Sequence, residues 1–157
     1  MFRFAGRAAL VLTIGVLGGN VAAQEAIETS PSGDVVVLDD SLEKWVDSSY
    51  WAGALCYETV GQLINEHAVF TDPNRLANAQ NLHDVLGELL GARRGDMFAK
   101  GLTFEQSLAI DSYFYGFTQP KTARYVLTKQ ASDLAIDLRR CPAAVQALQL
   151  QVKQAPQ

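Results

Sequence analysis

Histidine, cysteine and tryptophan each occur twice in the 157 residues, and positive charge is in deficit. Neither His67 nor His83 has a partner at His-x-x-x-His or Glu-x-x-His spacing, so a helix-borne metal centre is unsupported and no metal or cofactor is expected. On a helical hairpin the two histidines are offset by roughly 9 Å along the axis, too far to share one ion. Each is expected as a hydrogen-bonded core histidine, with pH sensing as the functional alternative. There is no phosphate loop, dinucleotide fingerprint, Gly-x-Ser-x-Gly elbow, Cys-x-x-Cys or His-Glu-x-x-His. With 17 acids against 13 bases, the net charge of −4 has the wrong sign for a general nucleic-acid binder. No Asn-x-Ser/Thr site occurs, and beyond residue 23 no stretch is apolar enough to cross a bilayer.

What is present begins with an export pattern. Arg3 and Arg7 precede an uncharged, largely apolar stretch from Ala8 to Val21, followed by the small residues Ala22 and Ala23. This predicts a secretory signal peptide over residues 1–23, with no stable membrane span once it is removed. The destination would be the periplasm or the outside of the cell. No cysteine follows the expected cut to carry a lipid. Residues 24–40 are acidic and contain Ser and Pro; they are expected as a flexible arm in which only Val35 to Leu38 can order against the body. Residues 24–72 hold ten acids and the single base Lys44, whereas residues 73–157 hold seven acids and ten bases. The two halves can attract each other within one fold, or the acidic half can face a basic partner.

Cys56 and Cys141 are an even pair, which in an oxidising compartment reads as a disulfide. Residues 41–154 read as one helical domain. From a cap at Asp40, the residues Leu42, Trp45, Val46, Ala52, Cys56, Val60, Leu63, Ile64, His67 and Phe70 fall within an arc of about 120°, predicting one helix from Ser41 to Phe70. Gly53 and Gly61 would weaken or bend it. Asp72-Pro73 opens a second helix, with its stripe at Leu76, Ala79, Leu82, Leu86, Leu89 and Leu90 and an expected stop at Gly91. Residues 92–101 are then a basic loop carrying Arg93, Arg94 and Lys100, expected as solvated, with contact to a phosphate or carboxylate as the functional alternative. Thr103 with Gln106 forms a capping box for a third helix to about Phe117. Pro120 starts a fourth, through Leu127, Ala131, Leu134, Leu138 and Cys141, and Pro142 ends it or begins a short last helix. The fold class predicted is all-α: a small up-and-down bundle of four to five helices with one long-range disulfide.

The residues that fit a bland core least well are the candidate binding residues Trp51, Tyr113, Tyr115, Asp111 and Arg124. Asp111 falls among Phe104, Phe114 and Tyr115, where a carboxylate needs a partner; Arg124 is the expected one, as a structural ion pair or as the start of a site. The run Tyr113 to Phe117 is too aromatic for one helical face, and Trp51 falls on the polar side with Glu58. These rings with the acidic surface suit a binding patch. No catalytic constellation accompanies them. The function expected is that of an exported, non-enzymatic helical protein that binds another macromolecule in the cell envelope, chaperone-like or of inhibitor or immunity type. The alternative is a small-molecule binder or enzyme built in the bundle core around Asp111 and Arg124.

Overall fold

The computed structural model describes residues 28–29, 35–36, 38–66 and 69–154. The expected signal peptide, most of the arm and His67 lie outside the described residues. Among the described residues five helices make an all-α bundle. They are α1 Asp40–Glu43, α2 Ser48–Asn65, α3 Pro73–Ala99, α4 Phe104–Thr128 and α5 Cys141–Gln154. Two-residue strands, β1 Glu28–Thr29 and β2 Val35–Val36, pair antiparallel ahead of the bundle. Leu38 follows them into the core, 5% exposed. No helix among the described residues is long and apolar enough to cross a membrane.

Helix α2 is the hub, packing against α3, α4 and α5. It therefore buries most of its circumference, taking Tyr50, Ala54 and Leu55 inward as well as Cys56, Val60 and Leu63. The expected single first helix is in fact two. Asp39 rather than Asp40 caps α1, accepting from the Ser41 N–H at 2.7 Å. Asp47 then restarts the chain as the N-cap of α2, its Oδ1 accepting from the Ser49 and Tyr50 N–H groups at 2.9 Å each. Asp47-Ser48-Ser49 is cap chemistry interrupting an otherwise continuous apolar stripe. Gly53 does not bend α2; a Cβ there would lie 2.4 Å from Leu148 Cδ1, so the missing side chain lets α5 approach. Beside this contact Cys56 and Cys141, both fully buried, form the disulfide that ties α2 to the start of α5, with Cα atoms 5.7 Å apart.

Helix α3 starts where the sequence places it, with Asp72 accepting from the Asn74 N–H at 2.9 Å and Pro73 in the first turn. It does not stop at Gly91. It runs through the expected basic loop to Ala99, because the two arginines of that segment both find acids: Arg93 Nη2 donates to Asp47 Oδ2 at 3.0 Å, and Arg94 binds Asp111. The capping glycine is Gly101, at φ +100°, with the Leu102 N–H bonded back to the Met97 carbonyl at 2.9 Å. This six-to-one closure makes a Schellman stop ten residues beyond the expected one.

The Thr103–Gln106 capping box begins α4. Instead of ending near Phe117, α4 continues through Pro120 to Thr128 and stops at left-handed Lys129, φ 59°. The Thr118 hydroxyl donates to the Phe114 carbonyl at 2.9 Å and accepts from Gln62 Nε2 at 2.7 Å, pinning the turn before Pro120 to α2. The expected fourth helix over Leu127 to Cys141 does not form. Leu127 is 85% exposed, and residues 131–140 hold only two short 3-10 turns, Ala131–Asp133 and Leu138–Arg140. Pro142 restarts the chain as α5.

Candidate functional site

A cleft of about 170 Å³ opens between α3 and α4 with α2 as its floor. Tyr50, Ala54, Tyr57 and Glu58 come from α2, Gly87, Leu90, Gly91 and Arg94 from α3, and Asp111 and Phe114 from α4. The spacings explain the convergence. Tyr50, Ala54 and Glu58 recur every four residues, Gly87, Gly91 and Arg94 at four and three, and Asp111 and Phe114 at three, each a single helical stripe. A Cβ at Gly91 would meet nothing within 4 Å, so the α3 wall is open there, while Gly87 backs onto the Tyr57 ring.

The partner of Asp111 is Arg94, not Arg124. Arg94 Nη1 donates to Asp111 Oδ2 at 2.7 Å, and Nη2 donates both to Asp111 Oδ1 and, at 2.7 Å, to the Tyr50 hydroxyl. Planar guanidinium and carboxylate meet side by side, a geometry that fixes both groups. Arg124 stands exposed elsewhere on α4 and does not line the cleft. Burial costs the Arg94 cation, but its bonds to Asp111 and Tyr50 outweigh that and hold its pKa above the ordinary value. Burial raises the Tyr50 phenol despite the neighbouring guanidinium. Glu58 is the electrostatic misfit: burial first, then the Asp111 charge, push its carboxyl up, and Arg94 only partly compensates. No hydrogen bond or ion pair to its carboxylate occurs among the described residues. The sequence places Arg94 in a basic loop and Glu58 on a polar face but does not join them with Tyr50 and Asp111, because a second helix that stops at Gly91 takes Arg94 off the α3 stripe.

The aromatic candidates separate. Trp51 is not on a polar face but half-buried against α4, its ring 5.6 Å from Tyr113, 5.0 Å from Phe114 and 6.4 Å from Phe117. Tyr113 is buried, and burial drives its hydroxyl up to about 12. Tyr115 points outward, 56% exposed, in line with Leu108 at 55% and Phe104 at 72%. At 100° per residue these three fall within about 40° of one another, and Asp111 borders them. An apolar stripe on α4 therefore runs along the rim of the cleft. His83 stacks on Tyr57 at 4.1 Å, with Nδ1 3.9 Å from Asp84 Oδ1.

These features define a disulfide-bridged all-α bundle with an open, partly acidic cleft. No protein-family model matches the chain, and no curated protein or solved structure is similar to it.

Proposed function

We propose that the chain is an exported, non-enzymatic protein of the cell envelope that binds another protein through the outer face of α4 and the cleft beside it. The observation that carries the reading is the line of Phe104, Leu108 and Tyr115. Isolated apolar residues on a surface are ordinary, but three large ones on one helical stripe beside a cleft form the kind of patch that partners cover. Export is supported by the leader pattern and by a buried disulfide, a bond that persists in oxidising compartments. The alternative centred on Asp111 and Arg124 has less support, because Asp111 is engaged by Arg94 and Arg124 does not line the cleft.

Site-specific photo-crosslinking in the producing cell tests this. A benzophenone amino acid at Leu108 or Tyr115 is expected to give a discrete heterologous adduct, and the same probe at exposed Gln146 on α5 none. Adducts absent at both α4 positions, equal at all three, or formed only with a second copy of the chain overturn the reading. Mass spectrometry of the exported protein should find a mature N-terminus within about two residues of Gln24.

A further inference from the structure

The cleft and the α4 stripe share a rim. Asp111 lies three residues after Leu108 and four before Tyr115, so a segment lying along the stripe passes directly over the opening. We propose that the cleft is the seat of one lysine or arginine side chain, carried by the partner segment that covers Leu108 and Tyr115. This rests on the binding reading above and names the chemistry of its partner.

Charge, lining and size each point the same way. Two carboxylates, Glu58 and Asp111, line the cleft against one guanidinium, and both terminal nitrogens of that guanidinium are already engaged by Asp111 and Tyr50. An anion entering here meets two carboxylates, and the one guanidinium that could receive it is already paired with Asp111. A neutral apolar group would desolvate Glu58 further with nothing in return. A cation supplies the charge that Glu58 lacks, and the partly exposed Tyr57 ring lines the cleft beside that acid, an aromatic surface of the kind on which ammonium and guanidinium groups sit well. The upward push on the Glu58 carboxyl agrees with an acid held in place without its counter-charge. The volume of about 170 Å³ lies below the roughly 300–1,000 Å³ typical of pockets that enclose a whole small-molecule ligand. It suits a side-chain end inserted from outside. The open wall at Gly91 provides the entry, and arginine anchors in such pockets commonly dominate interface energetics.

Amide NMR titration of the oxidised protein with Nα-acetyl-lysine methylamide, and with the uncharged norleucine analogue of the same chain length, tests the cation. Shifts at Glu58, Gly87 and Gly91 are expected at least 10-fold lower in concentration for lysine, and Glu58→Gln should abolish that preference. Gly91→Leu, which plugs the entry from an open helical position, should abolish binding of both. A second arm uses a helical peptide with leucines at i, i+4 and i+7 and one adjacent lysine. It should bind at least 10-fold more tightly than the capped amino acid, and lose that gain in Leu108→Asp/Tyr115→Asp. No preference for lysine, or a preference surviving Glu58→Gln, overturns the proposal; a capped lysine binding as tightly as the peptide makes the cleft a free-cation site and also overturns it. Photo-crosslinks from α4 that persist after either failure leave protein binding standing without this anchor.

Discussion

Asp47 and Glu58 sit eleven residues apart on one helix and have opposite energetics. Burial works against the Asp47 carboxylate, but the Tyr50 N–H, the Gln151 amide, Arg93 and the Ser49 N–H together hold its pKa below the ordinary range. Those contacts also join three helices, since Arg93 belongs to α3 and Gln151 Nε2, at 3.1 Å, to α5. Asp47→Ala should cost about 1–2 kcal/mol at pH 7 as a lost cap, measured by urea unfolding. A depressed native pKa stabilises above the unfolded value near 4 and is lost as pH falls through the native one, so the gap to wild type should close in acid. Glu58 has the reverse sign. Its raised native pKa costs nothing below the unfolded value and the full penalty above the native one. Glu58→Gln should therefore stabilise the fold at pH 7, by about 0.5 kcal/mol after solvent screening, and be neutral near pH 3. A Glu58→Gln protein less stable than wild type at pH 7 would show that Arg94 satisfies this acid after all. A carboxyl pushed up by burial while lining a cleft fits the proposed binding role at the level of one residue.

At the scale of helices the glycines separate contact from opening. Gly53 has Leu148 against it and Gly91 has nothing, so the same change should act oppositely at the two positions. Gly53→Ala forces α5 outward and is expected to cost about 1–3 kcal/mol, whereas Gly91→Ala only stiffens a helix and should gain up to about 1 kcal/mol. Paired urea melts check both, and equal signs would mean that the α2–α5 contact yields without cost. Glycine also marks where the sequence was legible and where it was not. The starts of α3 and α4 could be read because their caps are local: Asp72-Pro73 and Thr103 with Gln106 act within four residues. The end of α3 could not, because Gly91, Gly95 and Gly101 are equivalent until distant acids are known to receive Arg93 and Arg94. The false fourth helix has a related cause. Its apolar spacing was regular, but left-handed Lys129 and the Thr128 hydroxyl, 2.7 Å from Asp133 Oδ2, turn the chain before the spacing can be used. Both features hide the cleft in the sequence, since a stop at Gly91 puts Arg94 in a loop and a helix starting at Pro120 offers Arg124 as the partner of Asp111.

For the whole molecule the decisive link is the one pairing that the sequence did state outright. Cys56 and Cys141 are 85 residues apart, and the chain between them includes all of α3 and α4. A loop of that length gives roughly 4–5 kcal/mol as an upper estimate of the stability gained by restricting the unfolded chain. Domains of this size are commonly stable by only about 5–15 kcal/mol, so the bridge is a large share of the total. Its location sharpens the expectation. Ala144 and Leu148 are buried in the same core, but the chain reaches α5 through residues 129–140, which hold two 3-10 turns and no fully buried residue, with Ala135, Ile136 and Leu138 only partly buried against the core. When the bridge is cut, α5 keeps its packing on α2 and α3 but loses its covalent tie to α2, and the 129–140 connection is the place for chain to open. Reduction, or Cys56→Ser/Cys141→Ser, should lower the urea midpoint sharply and direct limited proteolysis to residues 129–140 before any cut within α2 or α3. A double variant with an unchanged midpoint, or one cleaved first inside α3, would mean that α2, α3 and α4 hold α5 without the bond. An oxidising environment would then have no structural bearing on this fold.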